Sequence, residues 1–194
     1  SDKYVENREQ IRQSIKNLKD WNLHETENFM IVSNSRDKQL INNVQEDIEK
    51  CRLVFNWFYP ARQVIDEVGV VKIFNKRSEF ASYVPPDWKE FSCLWMPDKR
   101  ELAIGPPENI KKKDVREYMQ MSVYEMSFFQ YLFVVSGDAF ASEWFKYGNT
   151  MFFRNVELKS GDKFTIELSD KKVVDYASGA SKSPASIKEE LTRL

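Results

Sequence analysis

Two consecutive helical segments rich in aromatic side chains constrain the fold of this chain more than any other feature. The pattern predicts helices over 114–134 and 139–152, separated by the helix-ending sequence Ser136-Gly137-Asp138. Their aromatic residues are Tyr118, Tyr124, Phe128, Phe129, Tyr131 and Phe133 in the first segment, and Phe140, Trp144, Phe145, Tyr147, Phe152 and Phe153 in or beside the second. Large aromatic side chains at helical spacing are most often buried. The pair therefore predicts a helical hairpin at the centre of the core.

The rest of the chain alternates helical and strand patterns. Apolar periodicity predicts helices over 4–20, 36–59 and 77–83, and β-branched or alternating runs predict strands over 28–33, 68–74, 91–96 and 101–104. The predicted fold is α+β, a small mixed sheet packed by helices. We expect one domain over 1–153, including the N-terminal helix, and a polar C-terminal extension over 154–194. That extension contains a candidate strand at 163–168, a linker-like stretch at 177–186 and a short final helix.

Composition excludes several classes of function. Lys and Arg total 29 and Asp and Glu total 30, so no overall positive field exists to hold a nucleic acid or an anionic membrane. No apolar stretch approaches the ~18 residues of a membrane span. The single histidine, His24, precludes a zinc site with two or three histidines within this chain and is predicted to lie at the surface.

The two cysteines, Cys51 and Cys93, allow two interpretations. Cys51 falls on the apolar stripe of a predicted helix, and Cys93 lies in an apolar strand-like run. Both positions favour buried free thiols, and a disulfide is the alternative if the two come close in the fold.

The aromatic helices carry a spacing associated with zinc chemistry. The first reads Tyr124-Glu125-Met126-Ser127-Phe128, and the second reads Trp144-Phe145-Lys146-Tyr147-Gly148. In His-Glu-x-x-His zinc peptidases, the two histidines bind the metal and the glutamate is the general base. In the gluzincin branch, a glutamate from the next helix is the third ligand. The two segments resemble that pattern, with Tyr124, Phe128 and Tyr147 at the former metal-ligand positions and Glu125 at that of the base.

The order of elements over residues 22–153 also resembles the peptidase-MA-like family of bacterial gluzincin domains. The resemblance implies a zincin-like helical pair in the core and an exported or periplasmic location. In active gluzincins the strand before the helices borders the substrate cleft and can pair with an extended peptide. Trp88, Trp95 and Trp144 are therefore candidate cleft residues, with buried loop aromatics as the alternative for the first two.

If this resemblance holds, the zinc centre has been replaced by aromatic core. Tyr124, Phe128 and Tyr147 offer no imidazole and no carboxylate, and a phenol is a poor zinc ligand at neutral pH. We therefore expect no zinc, no other cofactor and no peptidase activity. Glu125 is the candidate remnant base, and its alternative role is to hydrogen-bond a hydroxyl such as that of Tyr147 or to face solvent.

Three functions stay open from the sequence. The first is a pseudopeptidase domain that binds a peptide or protein partner or serves as a scaffold. The second is a metal-independent hydrolase or other enzyme that uses Glu125 with Tyr124 or Tyr147. The third is an unrelated α+β interaction module. A helical pair that separates residues 124, 128 and 147 would favour the third.

Overall fold

The computed structural model describes residues 2–62, 64–136, 141–154, 156–159 and 165–168. The helices in chain order are α1 (Asp2–Ile15), α2 (Lys38–Phe58), α3 (Arg77–Tyr83), α4 (Val115–Ser136) and α5 (Glu143–Arg154). The strands are β1 (Asn22–Glu25), β2 (Phe29–Ser33), β3 (Gly69–Ile73), β4 (Cys93–Met96), β5 (Glu101–Ile104), β6 (Val156–Lys159) and β7 (Thr165–Leu168).

The first five strands form one mixed sheet in the order β1-β2-β3-β5-β4. The three central strands, β2, β3 and β5, are parallel, and the flanking strands β1 and β4 are antiparallel to their neighbours. Strands β6 and β7 pair with each other in an antiparallel hairpin. The α+β class predicted from the sequence is confirmed, since helices pack against a small mixed sheet.

Alternation along the strands divides the sheet into two apolar faces. One face packs against α2 and α4 through side chains that include Ile31, Val71 and Leu102, each fully buried. The opposite face carries Leu94, Met96 and Ala103, which pack with Phe80 of α3 and with Phe74. Helices therefore cover both faces of the sheet.

Helix α4 packs closely along α2, and aromatic rings fill the space between them. Phe55 of α2 contacts Phe128 of α4 at a ring-centroid distance of 5.2 Å and Phe153 of α5 at 4.7 Å. Tyr131 joins the same cluster at 5.6 Å from Phe55. The predicted helical hairpin therefore lies in the core, where it is completed by α2 rather than by the two aromatic helices alone.

A polar network crosses the α2–α4 interface. The Asp47 carboxylate, whose side chain is 1% exposed, accepts two hydrogen bonds from the Arg116 guanidinium, one of them at 3.0 Å to Nη2. Gln120 Nε2 donates to Asp47 Oδ1 at 3.4 Å and to the Tyr124 hydroxyl at 2.9 Å. Buried charge is tolerated here because it is paired and hydrogen-bonded.

Several predicted boundaries hold, and others differ for local reasons. The α3 prediction matches, while the N-terminal helix ends at Ile15, before Asp20 with φ of 66°.

Strand β1 was not predicted because its sequence is polar. It places His24 opposite Ile31, and His24 is half-buried there. The strand predicted at 163–168 is present as β7, and β6 was missed. The predicted linker at 177–186 and the final helix lie outside the described residues.

Both cysteines are free and buried, as the sequence favoured. Among the described helices, none combines the length and hydropathy that a membrane crossing requires.

Candidate functional site

Strand β4 is an edge strand of the sheet, and its outer side presents main-chain hydrogen-bonding groups. Ser92 O accepts a hydrogen bond from Gly105 N at 2.9 Å, which fixes the pairing with β5. Inward and outward directions alternate along an antiparallel strand. Leu94 and Met96 therefore direct their N–H and C=O groups toward β5, whereas Cys93 and Trp95 direct theirs away from it. No strand among the described residues pairs with this outer edge.

A groove of about 560 Å³ runs beside this edge. One wall, on the α3 side, contains Tyr83, Pro85 and Trp88. The other wall, on the α4 and α5 side, contains Met126, Phe129 and Tyr147. Leu94, Trp95 and Met96 of β4 also line the groove. Most of the lining is apolar, and the charged residues Asp98 and Lys99 lie together in it.

Tyr147 lies in the groove, against Phe129 of α4. Their ring centroids are 6.0 Å apart in an edge-to-face arrangement, and Tyr147 is 52% exposed. Phe128, the partner expected from the zinc-motif spacing, is fully buried and instead contacts Phe153 at 5.0 Å. Helix α5 thus places Phe153 on the α2 side of α4 and Tyr147 on the groove side.

Tyr124 shares the buried face of Phe128 and does not meet Tyr147. Its hydroxyl accepts the hydrogen bond from Gln120, and its ring belongs to the cluster between α2 and α4. The structure therefore separates the three former metal-ligand positions, with Tyr124 and Phe128 on one face and Tyr147 on another. Helix α4 is buried on several sides, so helical period alone did not show which of its faces borders the groove.

Glu125 lies on α4 near strand β4. Burial raises the pKa of the Cys93 thiol, and the charge of Glu125 raises it further. Tyr124, one residue earlier, points into the α2 interface, so the structure does not bring Glu125 and Tyr124 to one site. The alternative enzyme that pairs Glu125 with Tyr147 stays a prediction from the sequence.

Of the three candidate cleft tryptophans, two line the groove. Trp88 is 43% exposed in the α3 wall, and Trp95 lies on β4 itself and packs against Phe133 at 5.5 Å. Trp144 is 77% exposed and contacts Phe145, and it does not line the groove. Its assignment to a cleft stays a prediction from the sequence. A side chain at Gly148 would contact nothing within 4 Å, so packing does not require the glycine next to Tyr147.

The residues at the former metal-ligand positions do not fit a zinc ion. Phe128 has no donor atom, and burial raises the pKa of the Tyr124 phenol, which disfavours the phenolate that would bind metal. Among the described residues, no group of three or more His, Cys, Asp or Glu side chains is arranged to hold a metal ion.

Among the groove residues that sequence reasoning missed are Tyr83, Met126 and Phe129. Met126 and Phe129 are three positions apart and so share a helix face. That spacing is visible in the sequence, but Met126 and Phe129 lie one and four positions beyond Glu125, and the zinc-motif spacing indicated Tyr124 and Phe128 instead.

Comparison with protein-family models, curated proteins and solved structures gives no match to this chain.

Proposed function

We propose that this chain is a non-catalytic binding domain that accepts an extended peptide segment of a partner protein at the outer edge of β4. The observation that carries the proposal is the position of the groove, which follows a sheet edge where the main-chain groups of Trp95 point away from β5.

An added strand fits the two walls of the groove. Successive side chains of a strand point to opposite faces of a sheet. One set would contact the α3 wall at Trp88, and the alternate set would contact the α4 and α5 wall at Phe129 and Tyr147. Main-chain hydrogen bonds would supply affinity, and the apolar walls would select for apolar side chains.

The binding function is proposed for either origin of the domain. The order of elements and the antiparallel strand β4 beside α4 support a degenerate gluzincin-like scaffold. The separation of Tyr147 from Tyr124 and Phe128 supports an unrelated α+β interaction module, because the resemblance to a zinc-peptidase motif requires these three residues to lie together. The groove is the same whichever origin the domain has, so the proposed binding function does not depend on that origin.

Calorimetric titration with a capped heptapeptide, in which threonine alternates with valine and phenylalanine, tests the proposal. We expect saturable binding with one peptide per chain. The matched control is the same peptide N-methylated at alternate residues, which removes the N–H donors of one edge, and it should bind at least tenfold more weakly. Absence of binding, or equal binding of both peptides, would overturn the proposal.

A further inference from the structure

A second cavity, of about 530 Å³, lies between α1 and the sheet, outside the groove beside β4. Helix α1 contributes Ile11 and Ile15 to its lining, the sheet contributes Val32 and Val70, and α4 contributes Phe133. This volume falls within the range of small-molecule sites, and the lining combines these apolar side chains with charged and amide side chains.

Helix α1 is attached to the body of the protein by polar contacts. None of its residues is buried. Arg8 and Arg12 both contact the Glu25 carboxylate, at 2.9 and 2.7 Å, and Asn7 Oδ1 accepts a hydrogen bond from Val68 N at 3.1 Å. Ile11 and Ile15 of α1 therefore face the cavity instead of a packed core. Displacing α1 would break these surface contacts without opening the core.

The charges around the cavity balance. Four basic and four acidic residues line it, and some of them are paired, as Arg100 and Glu67 are at 2.6 Å. A balanced lining exerts no net attraction on an ion of either sign. The apolar surface is left as the main source of affinity, which favours an uncharged ligand.

We propose that this cavity binds a small, neutral, largely apolar molecule and that α1 is its lid. The ligand would contact Ile11 and Ile15 on one side and Val70 and Phe133 on the other. The proposed peptide site at β4 is separate, although Trp95 and Lys99 line both.

Fluorescence titration with N-phenyl-1-naphthylamine, a neutral probe that brightens in apolar surroundings, tests this proposal. We expect saturable binding of one probe per chain. Ile11→Trp fills the cavity and should weaken binding at least tenfold. Val5→Trp is the matched control on the same helix, since Val5 is 64% exposed and lies outside the cavity, and it should bind as the unaltered protein does.

Two further variants keep the test decisive. Val70→Phe fills the cavity from the opposite wall and should reproduce the effect of Ile11→Trp if that variant does not fold. Phe129→Ala alters the groove beside β4 and should leave probe binding unchanged. The proposal is overturned if the probe does not bind, if both cavity-filling variants bind it normally, or if Phe129→Ala abolishes binding. None of these results bears on the peptide titration.

Discussion

Tyr147 contacts Phe129 and not Phe128, and this pairing determines which face of α4 borders the groove. Phe128 lies against Phe55 and Phe153 in the core. Two consecutive residues of α4 therefore differ in environment: Phe128 is buried in the core, and Phe129 lines the groove. This face of α4 forms one wall of the groove at which we propose that a peptide binds.

Restoring a zinc motif at the positions indicated by the sequence should fail. The triple variant is Tyr124→His, Phe128→His, Tyr147→Glu. Its two histidines replace Tyr124 and Phe128, which are buried and face α2. We expect no stoichiometric zinc and a loss of about 3–5 kcal/mol of unfolding free energy. Elemental mass spectrometry and urea denaturation measure both quantities.

The single variant Tyr147→Glu is the control for the triple variant. Because Tyr147 is half-exposed, its replacement should cost less than about 1 kcal/mol. Stoichiometric zinc in the triple variant would show that Tyr124, Phe128 and Tyr147 can come together.

The groove residues should dominate peptide affinity. Tyr147→Ala and Trp88→Ala each remove an aromatic wall, and we expect each to weaken heptapeptide binding by about 1–2 kcal/mol. Trp144→Ala is the matched control, since Trp144 is more exposed than Tyr147 and lies outside the groove. Loss of affinity in Trp144→Ala comparable to that in Tyr147→Ala would place the peptide elsewhere on α5.

The sequence predicted the scaffold better than the site. Apolar periodicity at Ile41, Val44, Ile48 and Cys51 placed α2, because a one-sided stripe has a single way to face the core. Helix α4 has buried residues facing both the sheet and α2, such as Val123 and Tyr124, so its pattern does not distinguish the faces. The groove depends on contacts distant in sequence, as between Phe129 and Tyr147, which helical spacing within one segment does not encode.

Removing one member of the Asp47–Arg116 pair should lower the free energy of unfolding, whereas replacing both with apolar residues should change it little. Arg116→Met leaves the buried Asp47 carboxylate without its guanidinium partner, and we expect a loss of about 3 kcal/mol in urea denaturation. The double variant Asp47→Leu, Arg116→Met removes both charges and should recover most of that loss. A single variant that costs less than about 1 kcal/mol would contradict this account of the α2–α4 interface.

Attachment of α1 should weaken in acid through Glu25. Hydrogen bonds from Arg12 and then Arg8 lower the pKa of Glu25 from its usual 4.5 to about 2. The folded state therefore favours the ionised carboxylate, and its contribution to stability is present above pH 4.5 and lost as the pH falls toward 2. Because the side chain is one-third exposed, we expect this contribution to stay below about 1 kcal/mol.

Amide hydrogen exchange of α1 as a function of pH measures this effect. Near neutral pH the α1 amides of the Glu25→Gln variant should exchange faster than those of the unaltered protein. This difference in exchange rate should vanish by about pH 2. The control is Glu9→Gln on α1 itself, which removes a 3.3 Å contact to Arg12 but keeps an oxygen that can accept the hydrogen bond from Gln13, so it should have a smaller effect. A difference between Glu25→Gln and the unaltered protein that is independent of pH would rule out the Glu25 carboxylate as the titrating group.

Residue-resolved hydrogen exchange at β4, with and without the heptapeptide, tests the central claim most directly. The account predicts that bound peptide slows exchange of the outward-facing Trp95 amide, while the Leu94 amide, already bonded to β5, changes little. Unchanged exchange at Trp95 under saturating peptide would contradict the claim. Protection of the Trp95 amide before peptide is added would also contradict it, since the edge would then already be occupied.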